Sequence, residues 1–241
     1  MASQQLFTVL IILLVITTTA MVVLLITKEQ PYNPSPAEGT RHNVIVAIDT
    51  ESKGVSADLY TEVRPGRGLV LVNINDVLAD LDTQIGARTA AKVAGEYAFV
   101  NMSQYDVIFT IKTAADLIGG QSASSTMAAA VIASLLNVSM RQDVILTGPI
   151  TDEGYVTEAG GIVEKARAAK EAHASIFLVP PKGNQQVVAY ERQKSCTSQQ
   201  TTTYCVVSTT EKTANISSLV NMTLIEVENI AEAMRYFAWS S

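Results

Sequence analysis

Apolar and polar positions alternate over HNVIVAID (42–49) and VSADLYTEVRPG (55–66), and a third apolar run, GLVLVNI (68–74), follows Pro65-Gly66-Arg67-Gly68. Such segments between turn residues predict strands, and their close succession predicts a hairpin-rich sheet. The Ala-rich stretch 83–98 predicts a helix, YDVIFTIKT (105–113) another strand, and TMAAAVIASLLN (126–137), apolar nearly all round, a buried helix. A strand at 143–150, a turn in TDEGYV, a helix within 159–173 and a buried strand at 175–180 come next. A polar, Cys-bracketed loop precedes a strand at 222–227 and a last helix at 228–239. The mixture predicts an α+β domain without internal repeats.

Ahead of this domain the pattern is different. Residues 6–26, LFTVLIILLVITTTAMVVLLI, carry no charge over 21 positions, enough at about 1.5 Å per residue to cross a hydrocarbon layer of roughly 30 Å. They predict a transmembrane anchor behind a short flank, residues 1–5. A cleaved signal peptide is the alternative, but the flank MASQQ has no Lys or Arg and no small-x-small cleavage site comes after the run. Residues 27–41 hold three prolines among polar residues and read as a tether. The folded domain is expected over 42–241.

Charge and composition narrow the partners. A net charge of -6 without a basic cluster argues against nucleic acid. With 2 His and 2 Cys, and neither CxxC nor HExxH, no metal site is expected. Cys196 and Cys205 bracket CTSQQTTTYC and could close a disulfide, which persists in oxidising compartments. Asn-x-Ser/Thr sequons stand at Asn101, Asn137, Asn215 and Asn221. Together these favour a domain on the outer side of the cell membrane.

The helix in AGGIVEKARAAKEAH (159–173) places one charge against its pattern. At about 100° per residue, Ile162, Ala166, Ala169 and Ala172 share an apolar face with Ala168 at its margin, and Lys165 points between Ala169 and Ala172. One reading has its stem along the core edge and its ammonium reaching water. The other has the amine desolvated, its pKa lowered, and able to act as a base. A second feature is IGGQSASST (118–126), where Ser122 comes after Gly119 and Gly120 at the start of the buried helix. A serine there can simply cap the helix. It can also be a nucleophile where unpaired amides favour developing negative charge.

Residues 120–180, GQSASSTMAAAVIASLLNVSMRQDVILTGPITDEGYVTEAGGIVEKARAAKEAHASIFLVP, resemble the core of the Lon-type proteolytic domain. That pattern runs Gly-Pro-Ser-Ala-Gly, buried helix, strand with Thr-Gly-Glu-Ile, Gly-containing hairpin, Gly-Gly-x-x-Glu-Lys, and strand ending in Pro. A weaker likeness extends upstream over the VRPGRG hairpin and the Ala-rich helix. The resemblance implies a Lon-like fold and a serine endopeptidase with Ser122 as nucleophile and Lys165 as general base. It also implies Thr147 as the threonine that helps hold the lysine. The amides of Ser122 and Gly120 would supply the oxyanion site. Protein or peptide substrates are implied, cofactors are not, and a homo-oligomeric ring is a possible assembly.

The chain departs from the pattern at Gly119, where an acidic residue is usual, and at Gln121, Ser124 and Pro149 in place of Pro, Gly and Glu. Ser124 and Ser125 are alternative nucleophiles by type. A Ser-His-Asp arrangement would need His42 or His173, and no GxSxG elbow is present. No GxxxxGK[ST] phosphate loop occurs either, so ATP is not expected to be needed. One anchor before a motor-less Lon-like domain resembles archaeal membrane serine proteases. The altered residues around Ser122 keep a silent peptide-binding or scaffold domain as the alternative.

Overall fold

The computed structural model describes residues 5, 14–19, 21, 40–75, 78–114, 117–199 and 202–237. The expected anchor at 6–26 lies mostly outside them: within it residues 14–19 and Met21 are described, and they are helical. Among the described residues no helix is long and apolar enough to cross a membrane. Most of the expected tether is likewise outside the described residues, and its last two positions already belong to a strand. The chain divides into two compact units, Met1–Asn33 and Pro34–Ser241. Among the described residues, every sheet belongs to the second unit.

The first sheet has the order β1-β2-β5-β3. β1 (Thr40–Ile48) and β2 (Gly54–Pro65) form an antiparallel hairpin, and β2 alternates buried Ala57, Leu59, Thr61 and Val63 with more exposed positions. This period of two is what the sequence pattern requires of a half-buried strand. β3 (Val70–Asn73) corrects the expectation of a third hairpin strand. It pairs parallel to β5 (Tyr105–Lys112), at the edge away from β2. The turn before it crosses the end of β5: the Gly66 amide donates to the Gln104 carbonyl, and the Arg67 and Leu69 amides to the Asp106 carboxylate. The short strand β4 (Leu78–Ala79) then leads into helix α1 (Leu81–Ala98).

β5 buries Tyr105, Val107, Phe109 and Ile111, and β6 (Leu117–Ile118) pairs with β4. A 3₁₀ turn at Gln121–Ala123 then opens helix α2 (Ser124–Leu135), every residue of which is buried. The core therefore condenses around α2, with α1 and the first sheet packed on it, and each large apolar side chain it contributes is worth about 1.5–3 kcal/mol. β7 (Val144–Leu146), helix α3 (Ile162–Glu171) and β8 (Ile176–Val179) form a parallel strand-helix-strand unit.

The Cys-bracketed region is not a loop. β9 (Gln186–Gln199) and β10 (Thr202–Asn215) are a long antiparallel hairpin in which Cys196 lies opposite Cys205 and is joined to it by a disulfide. Residues 205–211 are all exposed, so no core face marks these strands in the sequence. A short helix that the pattern does not predict, α4 (Ile216–Val220), precedes β11 (Thr223–Glu226), which joins the second sheet in the order β11-β8-β7. Helix α5 (Ile230–Phe237) closes over the end of the core through Ile230, Ala233, Met234 and Phe237. The observed mixture of helices with antiparallel and parallel strand pairs agrees with the expected α+β class.

Candidate active site

Lys165 is buried, 4% exposed, on the face of α3 that also buries Ala166, Ala168 and Ala169. The helix starts from Gly161, in the left-handed region, and the Lys165 amide donates to the Gly161 carbonyl at 2.9 Å. Removal from water alone pushes the ammonium down to about 8. Among the described residues Nζ has no hydrogen-bond or ion-pair partner, and what opening the side chain has is to the cleft it lines. About a tenth of the side chain is therefore amine at pH 7 and about half at pH 8, against less than a thousandth at pH 7 for an ordinary lysine.

Ser122 and Lys165 line one cleft of about 590 Å³, together with Ile48, Pro149, Glu158 and Glu164. Ser122 sits in the middle of the 3₁₀ turn, half-buried, and its hydroxyl has no partner among the described residues. Its backbone is held instead. The Ser122 carbonyl accepts from the Gly148 amide at 2.8 Å and from the Thr147 hydroxyl at 3.4 Å. Thr147 is fully buried, and its own amide donates to the Leu178 carbonyl. The threonine expected to hold the lysine thus bonds to the serine segment in this conformation.

The other serines are differently placed. Ser124 is buried and its Oγ accepts the Ile150 amide at 2.9 Å; Ser125 is fully buried and its Oγ has no partner. Neither lines the cleft, so both are poor nucleophile candidates. His42 bonds Asp58 at 2.7 Å on the β1–β2 hairpin, and His173 comes after α3 with positive φ; neither lines the cleft. Ser122 and Lys165 thus share one cleft without a hydrogen bond between them, and both histidines lie outside it.

Gly120 has φ 88° and ψ 158°, a backbone region essentially restricted to glycine. Its amide, expected at the oxyanion site, donates to Asp80 Oδ2 at 3.0 Å, so it is already occupied in this conformation. The amides of Gln121 and Ser122, first in their turn, lack an intrahelical acceptor and are the ones left for an oxyanion. The sequence pattern does not single out Asp80. Its place before a helix with Thr83 three residues on is an N-cap signal, but nothing local foretells a bond to Gly120, forty positions away.

Residues 73–209 match the Lon protease (S16) C-terminal proteolytic domain. The archaeal Lon protease of Thermococcus kodakarensis is 27% identical over 156 residues, 62% of this chain and 24% of that protein. The archaeal Lon protease of Pyrococcus abyssi is 28% identical over 141 residues, 56% of this chain and 14% of that protein. A Lon protease of Geobacter metallireducens is 38% identical over 79 residues, 33% of this chain and 10% of that protein. The chain spans about a quarter or less of the length of these relatives. The match covers the serine turn, the buried helix and the lysine helix in one continuous stretch, and on it the chain belongs to the Lon protease proteolytic-domain family, a family of serine peptidases.

Proposed function

We propose that the protein is an ATP-independent serine endopeptidase that cleaves unfolded or flexible protein segments through a Ser122–Lys165 dyad. The observation that carries this reading is the burial of an unpartnered lysine, its pKa lowered to about 8, in the cleft that Ser122 lines. In the reaction the Lys165 amine takes the Ser122 hydroxyl proton as Oγ attacks the peptide carbonyl carbon. Negative charge on the carbonyl oxygen falls to the free amides at the start of the Ser122 turn. The resulting Lys165 ammonium then protonates the departing amine, and the acyl-serine forms. Water, deprotonated by the regenerated Lys165 amine, attacks the ester and releases the second product.

The uncharged run at residues 6–26 supports a tether to the cell membrane. The Cys196–Cys205 disulfide and the exposure of all four sequon asparagines, Asn101, Asn137, Asn215 and Asn221, support an outward-facing domain. Independence from ATP belongs to this reading because peptide hydrolysis by a serine and a lysine consumes no nucleotide. A ring of identical subunits belongs to this reading through the family likeness alone.

Casein hydrolysis by residues 34–241, in wild type, Ser122→Ala and Lys165→Ala without ATP, tests it. Activity lost in both variants supports the dyad, because removal of a positioned base or nucleophile costs at least about 10²-fold. Equal rates in all three would overturn the peptidase reading and leave the peptide-binding alternative.

A further inference from the structure

The segment Gly119–Ser124 has few ways to hold its shape by itself. It contains a pair of glycines, turns through only one short 3₁₀ element, and presents Ser122 half-exposed to the cleft. What fixes it comes from the start of α1. Asp80 is the N-cap of that helix: Oδ1 accepts the Thr83 amide at 2.7 Å, while Oδ2 accepts the Gly120 amide at 3.0 Å. The Thr83 hydroxyl donates to the Gly120 carbonyl at 3.4 Å, so the Gly120 residue is gripped at both its amide and its carbonyl. One turn along, Gly86 lets α1 approach until an added Cβ would stand 3.0 Å from the Ser124 Cβ. At Gly119 an added Cβ would lie 2.6 Å from Asp80 Oδ2, so the carboxylate occupies the space a side chain there would need.

We infer that Asp80 is a positioning residue of the active site, its carboxylate bridging the helix N-cap to Gly120 and thereby setting the aim of the Ser122 hydroxyl and of the amides around it. The inference rests on the reading of Ser122 as nucleophile. Both carboxylate oxygens are used, and a charged acceptor makes each bond stronger than a neutral one would. Burial pushes the Asp80 carboxyl up, but the bonds from Thr83 and Gly120 outweigh it and leave the group below its usual range, so the anionic form that makes both bonds persists through the working pH. Because Gly120 carries a backbone conformation other residues resist, it needs an external hold, and Asp80 supplies it.

Asp80→Asn separates the two duties. An amide side chain still offers one oxygen to the Thr83 amide, which asparagine does well at an N-cap, but turns an NH₂ donor toward the Gly120 amide. In the full chain, labelling of Ser122 by a fluorophosphonate probe should slow by roughly tenfold or more, within the range that a misplacement of about 1 Å produces. kcat on a peptide should fall with KM little changed, and Asp80→Glu, with both oxygens kept, should recover part of the loss. Hydrogen exchange should rise in the 117–124 segment and stay unchanged in residues 86–98. Unchanged exchange of 117–124, or labelling at the wild-type rate, would overturn the inference. A wild-type chain that never labels at Ser122 would instead sink the nucleophile reading, and the exchange result would still decide whether Asp80 holds the loop.

Discussion

Gly54 meets Glu164 backbone to backbone: a Cβ added to Gly54 would fall on the Glu164 carbonyl oxygen, with the Lys165 amide 3.2 Å away. The first residue of β2 thus sets how deeply α3 sinks into the domain, one position before the proposed base. Gly54→Ala should push the helix outward and loosen the burial of Lys165. Overpacking of this kind costs about 1–3 kcal/mol, so thermal unfolding should shift down and casein hydrolysis should fall together.

Lys165 should cost the fold stability at neutral pH. Below about pH 8 both folded and unfolded chains carry the ammonium, and the folded state bears the full desolvation penalty. Between about 8 and the ordinary lysine value of 10.5 the folded protein gives up this proton first, so this group's contribution to stability rises with pH. Lys165→Met, which keeps the stem and removes the charge, should therefore be more stable than wild type at pH 7 by up to roughly 3 kcal/mol. The gap should close by pH 10.5, as denaturant titrations across that range would read.

The same group sets the pH dependence of the reaction. kcat/KM of the wild type should rise through an apparent pKa of about 8, as amine replaces ammonium. A profile governed by a group near the histidine value of about 6.5 would point to another base.

Ser122 and Ser124 should answer differently to alanine. Ser122→Ala removes an unbonded hydroxyl and should shift stability by no more than about 0.5 kcal/mol while abolishing hydrolysis. Ser124→Ala strands the buried Ile150 amide and should cost about 1–3 kcal/mol while leaving probe labelling at Ser122 intact. Denaturant melts paired with labelling would separate the two.

The disulfide should guard the hairpin and not the core. With Cys196→Ser and Cys205→Ser together, limited proteolysis should accelerate within residues 186–215, whereas the main unfolding transition, set by the α2-centred core, should stay put.

The elements that face the core are legible in the sequence because burial leaves a period there. β2 and β5 alternate, α2 is apolar throughout, and each appears within a few residues of where its pattern puts it. Lys165 is legible for the same reason, as a charge that breaks the apolar face of α3. The β9–β10 hairpin is not, because strands exposed to solvent bear no alternation, and its Thr, Val and Tyr content says only that they favour extended backbone. β3 escapes in another way: the turn before it looks like a hairpin, and only the Asp106 carboxylate, nearly forty positions on, carries the chain past β5. The bond from Gly120 to Asp80 is of the same long-range kind.

Lys165 rides on the helix that joins β7 to β8, and β8 lies in the middle of its sheet, paired to β7 on one side and β11 on the other. The two halves of the proposed site therefore cannot meet until the chain has been made through α3, which packs on β1 and β2 as well as on β8. At a synthesis rate of about 5–20 residues per second, Ser122 spends several seconds outside the ribosome without its base. On the proposed dyad, peptidase competence thus comes late in the synthesis of a newborn chain, and the segments made before the base are spared while they are still folding.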